Sequence, residues 1–94
     1  MELDARMAAL QQRFRARAGE DGARIAAAFA AGDLETVRNL AHGLSGSGGV
    51  FGFPEVSKDA QAVENEVDAG AAPADLQPLC DRLLARLAQV AQRG

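Results

Sequence analysis

The chain of 94 residues contains one histidine, His42, and five of its ten glycines (Gly43, Gly46, Gly48, Gly49 and Gly52) follow within ten residues of it. Neutral imidazole is a nucleophile and proton carrier near pH 7. Glycine inside a helix costs roughly 0.8–1 kcal/mol relative to alanine, so the cluster needs a reason. Acid–base or triad chemistry would require a positioned partner and an oxyanion site. The sequence shows no such constellation, although Glu35 falls on the same side of a helical wheel. A metal site requires several ligands, and one histidine among scattered carboxylates does not supply them. The glycines do not make a nucleotide loop either. "GLSGSGGVFG" has no lysine for a P-loop, and from Gly46 its G-x-G-x-x-x-G is one residue too long for a dinucleotide fingerprint. What remains is covalent modification of the ring, such as phosphorylation on a ring nitrogen, which needs exposure, room and a partner that supplies the rest.

Such a site must be carried by a frame, and the composition describes one. Hydrophobic residues make up 48% of the chain but aromatics only 4%, so the core is built from Ala, Leu and Val with a few Phe, as suits close-packed helices. A formal charge of −3, with the two signs interspersed, argues against a nucleic-acid partner. No apolar run approaches the roughly 20 residues that cross a bilayer, and no basic-then-apolar leader opens the chain. The single cysteine, Cys80, has no disulfide partner and sits among leucines at helical spacing, which reads as a small buried apolar residue. One cytoplasmic domain spanning residues 1–94 is expected.

Apolar periodicity then places the helices. Leu3, Met7, Leu10 and Phe14 mark one face, Gly19 and Gly22 a break or bend, and Ile25, Ala26 and Phe29 a continuation that stops at Gly32. Asp33 is the expected N-cap of a helix whose apolar face is Leu34, Val37, Ala41, Leu44 and Gly48, with Leu40 alongside. Pro54 opens a helix carrying Val56, Ala60, Val63 and Val67 until Gly70. Asp75 is the expected cap of a last helix, with Pro78 in its first turn and Leu76, Leu79, Leu83, Leu87 and Val90 on one face. Short connections imply antiparallel neighbours, and the fold class is all-α: an up-and-down four-helix bundle, with a fifth helix if the glycines split the first.

On the wheel, His42 lies on the far side from the apolar arc, so it should be exposed. Its helical neighbours are Arg38, Asn39, Ser45 and Gly46, with Gly49 a turn further. Gly46 and Gly49 leave room at the ring for another protein, whereas Gly48, on the core side, reads as tight helix packing.

"AHGLSGSGGVFG" resembles the signature of histidine-containing phosphotransfer domains, A-H-x-L-K-G-S followed by small residues and Leu/Phe-Gly. His42, Leu44, Gly46, Ser47 and Gly52 match in register, and the similarity covers roughly residues 14 to 90. The resemblance implies a cytoplasmic phosphorelay carrier in two-component signal transduction, without kinase activity of its own. His42 would be the phosphoacceptor, through Nε2, with Arg38, Asn39, Gly43, Ser45, Gly46 and Gly49 forming the phosphoryl environment and docking surface. It implies response-regulator receiver domains and a histidine kinase as partners, no cofactor of its own, Mg²⁺ supplied by the receiver, and a monomer bound to neither membrane nor nucleic acid. One departure stands out: the lysine usual three residues after the histidine is Ser45 here, and Arg38 is the candidate substitute. Two other readings are a non-phosphorylated adaptor docking through the glycine-lined face and a self-associating bundle using the Leu76–Val90 stripe.

Overall fold

The computed structural model describes residues 2–92, with side chains from Asp4 onward. Leu3, the first residue of the expected N-terminal apolar face, therefore has its side chain outside the described residues. Four helices follow one another: α1 (Glu2–Ala30), α2 (Leu34–Val50), α3 (Pro54–Asp68) and α4 (Pro73–Gln92). α1 packs on α2 and α4, and α3 on α2 and α4, so the helices go round the bundle in chain order. The described residues contain no strand.

α1 does not break. Gly22 is buried, and a Cβ there would lie 3.7 Å from the Leu84 and Leu87 side chains of α4. Packing of Ala18, Gly22 and Ile25 under α4 thus outweighs the weak helix propensity of the two glycines, and the expected split is corrected to one continuous helix. At 1.5 Å per residue its 29 residues span about 43 Å, longer than any neighbour. Gln11 Nε2 donates to the Phe51 carbonyl at the far end of α2, so the first turns of α1 reach past that end. Met7 and Leu10, expected on the core face, are consequently exposed at 38% and 36%. Phe14, the next residue of the series, is buried, stacked on Phe53 at 4.7 Å and edge-on to Phe51 at 6.3 Å. Further along, Ala26 is exposed and Ala28 takes the buried place.

The caps follow local chemistry. Gly32 adopts φ +73°, closing α1. Asp33 accepts from the Thr36 backbone N–H at 3.2 Å and from its hydroxyl at 2.6 Å, which hold the carboxyl below its usual range. This cap is in force above the ordinary carboxylate pKa and is lost as pH falls through the lowered one. Pro54 stands at the first position of α3, as expected. α4 starts earlier than expected: Pro73 opens it, Asp75 lies within its first turn rather than capping it, and Pro78 is interior, where it leaves the Ala74 carbonyl without an in-helix donor.

Leu76, Leu83, Leu87 and Val90 are at most 4% exposed, so they line this bundle's own core and are not available as an intermolecular seam. Cys80 is buried beside them, and burial, with the Asp81 charge adding, pushes its thiol pKa up. The buried Asp59 is held by Arg86 Nε at 3.1 Å, tying α3 to α4.

α2 and α3 approach each other closely at Gly48. A Cβ on Gly48 would sit 3.0 Å from the Ser57 nitrogen and 3.2 Å from the Phe53 carbonyl oxygen, both backbone atoms. At Gly46 nothing lies within 4 Å. Gly48→Ala should lose about 1–2 kcal/mol net, overpacking outweighing the propensity gain, while Gly46→Ala should gain about 0.8–1 kcal/mol. Urea denaturation of the two variants checks the opposite signs.

Candidate functional site

The close contact at Gly48 sets α3 beside the exposed flank of α2. Arg38 and His42 are one turn apart on α2, and Glu64 and Asp68 one turn apart on α3. Antiparallel packing brings the two pairs side by side. His42 Nδ1 lies 2.8 Å from Glu64 Oε2, with the imidazole side chain 67% exposed and the carboxylate 13%. An ionised carboxylate only accepts hydrogen bonds, so the neutral ring carries its proton on Nδ1 and leaves the Nε2 lone pair free.

The same Oε2 is also ion-paired with Arg38 Nη2, at 3.1 Å. Arg38 Nε donates to Asp68 Oδ1 at 3.1 Å, and Nη2 reaches Asp68 Oδ2 at 3.5 Å. This bond and the Asp68 charge, with Glu64 adding, push the guanidinium pKa further above its already high value. The expectation that Arg38 stands in for the missing lysine is therefore revised: the side chain is on the right face, but two carboxylates engage it.

The other residues singled out from the sequence divide by flank. Gly43 and Gly46 have open space where a Cβ would be, and Gly49 meets only the Ser57 hydroxyl, at 3.6 Å. Ser45 is half-buried toward α3, its carbonyl accepting from Ser57 Oγ at 2.7 Å. Asn39 and Gly43 lie on the opposite flank, at the lip of a groove of about 410 Å³ between α1 and α2. Phe14 and Leu44 contribute to its floor, and Arg13, Arg17 and Arg24 to its rim. Those three arginines are exposed, and none has a carboxylate within ion-pair distance among the described residues.

Glu64 was missed from the sequence, where Glu35 was the nearest carboxylate on the wheel. Glu64 and Asp68 do share a face of α3 at a spacing of four, matching Arg38 and His42. Pairing the two would have needed the α2–α3 register. Among the described residues, no three His, Cys, Asp or Glu side chains gather into a metal site.

The Glu64 hydrogen bond makes a spectroscopic prediction. With a single histidine, ¹⁵N NMR of the deprotonated ring reports its tautomer directly. The wild type should show the proton on Nδ1, and Glu64→Leu, which leaves no acceptor there, should lose that preference. Identical ring shifts in the two proteins would show that Glu64 does not set the tautomer.

Among the described residues, no helix is long and apolar enough to cross a membrane. Comparison with curated proteins and with solved structures returned no match. The Hpt domain family matches residues 9–93, nearly the whole chain and all four helices. A four-helix frame bearing an exposed histidine beside a clearing of glycines, matched along its length by that family, belongs to the Hpt domains, the phosphocarriers of two-component signalling.

Proposed function

We propose that His42 is the phosphoacceptor, through Nε2, of a cytoplasmic carrier that exchanges phosphoryl groups with receiver domains. The observation that supports this most is the exposed ring whose Nδ1–H is held by the mostly buried Glu64. The Nε2 lone pair forms the N–P bond as the P–O bond of an acyl phosphate on the partner breaks. The bonding pair leaves with the partner's carboxylate. Nδ1 keeps its proton throughout, so the phosphorylated ring is cationic, and Glu64 lies against the positive charge as it develops. Return transfer is the same step reversed.

The acid, the metal and the anchoring of the phosphoryl oxygens fall to the partner, with Mg²⁺ among what the receiver supplies. The chain contributes a pre-oriented nucleophile and clear approach over Gly46. Docking falls to the α1–α2 groove, whose apolar floor and arginine rim fit a partner surface with apolar side chains ringed by carboxylates.

Two measurements test this reading. After incubation with a phosphorylated receiver domain from the same cell, intact-protein mass should rise by one acid-labile phosphoryl group, and His42→Gln should show no rise. A folded wild type that binds receivers yet gains nothing would instead be an adaptor. Separately, the double variant Arg13→Glu/Arg17→Glu should slow transfer from a receiver about tenfold or more at low salt. Its phosphorylation by a small phosphoramidate donor should stay at the wild-type rate. Unchanged transfer from every receiver tried would remove the groove from the docking surface.

A further inference from the structure

Glu64 creates a difficulty for the site it serves. A carboxylate in contact with an imidazole favours the protonated ring, and an imidazolium has no lone pair on Nε2 with which to attack. The bond that orients the nucleophile thus also tends to disable it. The structure contains a counterweight, because the guanidinium of Arg38 is ion-paired through Nη2, at 3.1 Å, with the very oxygen that accepts from His42 at 2.8 Å. Arg38 itself cannot swing freely, since Asp68 holds its Nε and Nη2 from one turn further along α3.

We propose that Arg38 is a positioning residue that acts through Glu64: braced by Asp68, it fixes the shared carboxylate oxygen against Nδ1 and offsets its charge, so that the ring is oriented without being held protonated. This deepens the phosphoacceptor reading above and rests on it for its purpose, though not for its test. The charged groups on this flank are Arg38 on α2 and Glu64 and Asp68 on α3, with Glu35 two turns away on the His42 side of α2 and Lys58 further along α3, where it lines a surface hollow with Gly49 and Gln61; among the described residues α1 and α4 contribute no ion pair to the cluster. Among the described residues, Arg38 is the only Lys or Arg ion-paired with it.

This arrangement explains why the arginine stays engaged rather than free. An arginine aimed at the phosphoryl group would assist only after transfer. One tied to Glu64 acts before it, on the fraction of molecules able to react. Lysine could supply the charge but not the fork that spans two carboxylates.

The test follows the lone histidine by ¹⁵N and ring-proton NMR across pH in the intact chain, with no phosphoryl donor present. Removing the charge that is paired with Glu64 Oε2 leaves that carboxylate unopposed against Nδ1, which is expected to move the midpoint up. Arg38→Gln should show that displacement, and Arg38→Lys, which keeps the charge, should recover most of it. Because Arg38 acts through Glu64, the displacement should fall to less than half when Arg38→Gln is made in a Glu64→Gln background. A midpoint in Arg38→Gln equal to wild type overturns the proposal. So does a displacement that is undiminished without Glu64. A purely structural role for the Arg38–Asp68 pair would lower thermal stability but leave the midpoint in place. The titration can fail while phosphotransfer from a receiver still occurs, and can succeed in a chain that accepts no phosphoryl group, so the two readings stand or fall separately.

Discussion

The site depends on how closely α2 and α3 approach. At Gly48 the two backbones are so near that a single methyl group would meet the Ser57 nitrogen and the Phe53 carbonyl oxygen. That contact, with Gly52 at φ +84° turning the chain back within three residues, determines how far apart the facing side chains of the two helices stand. Glutamate and histidine side chains are short compared with the usual 8–10 Å between helix axes. A 2.8 Å bond between His42 and Glu64 therefore requires the helices to be close and in one register. The Ser57 hydroxyl reinforces that register by bonding the Ser45 carbonyl. The glycine that looks least related to chemistry, on the core side of α2, is the one that makes the chemical geometry attainable.

Exposure and order usually oppose each other on a protein surface. An exposed imidazole explores several rotamers and both tautomers, and holding it costs conformational entropy. Here the ring remains accessible while the groups that hold it are recessed: Glu64 is largely covered, and Arg38 and Asp68 brace it from the side. Elsewhere in the same bundle Arg86 and the buried Asp59 form an ion pair that joins helices without presenting anything to solvent. The two clusters use similar residues to different ends. One is a tie between helices, and the other sits behind an exposed imidazole.

Most of the frame was legible in the sequence because it follows from periodicity and cap chemistry. Val37, Ala41, Leu44 and Gly48 are the buried residues of α2, and Gly32, Asp33 and Pro54 act where local rules put them. The failures came where tertiary packing overrides local preference. Gly19 and Gly22 do not break α1, because α4 packs over Gly22 and its neighbours Ala18 and Ile25, and Met7 and Leu10 are exposed, because α1 outruns its neighbours. At the site, the exposure of His42 and the separate role of Gly48 could be read from one helical wheel. The partner of the ring could not, since a wheel contains only contacts within one helix. Glu64 is 22 residues from His42 and becomes its neighbour only through the register of two helices.

The serine at position 45 takes on a different meaning once these contacts are known. Ser45 is half-buried toward α3, with its carbonyl engaged by Ser57, and the nearest cation on this flank is already shared between two carboxylates. On the carrier reading, the phosphoryl oxygens would project past Gly46 with no unengaged cation of α2 beside them, Lys58 of α3 lying further along at the Gly49 end. A carrier has reason to be built that way. Transfer in both directions requires that neither side hold the group much more tightly than the other, and each strong ion pair to the phosphoryl oxygens would deepen the phosphorylated state without lowering the barrier out of it. Interactions placed on the ring behave differently, because the ring gains positive charge on the way to the transition state as well as in the product. On that reading, stabilisation drawn from Glu64 acts on the transition state as well as on the phosphorylated ring, and stabilisation omitted at position 45 keeps departure from slowing.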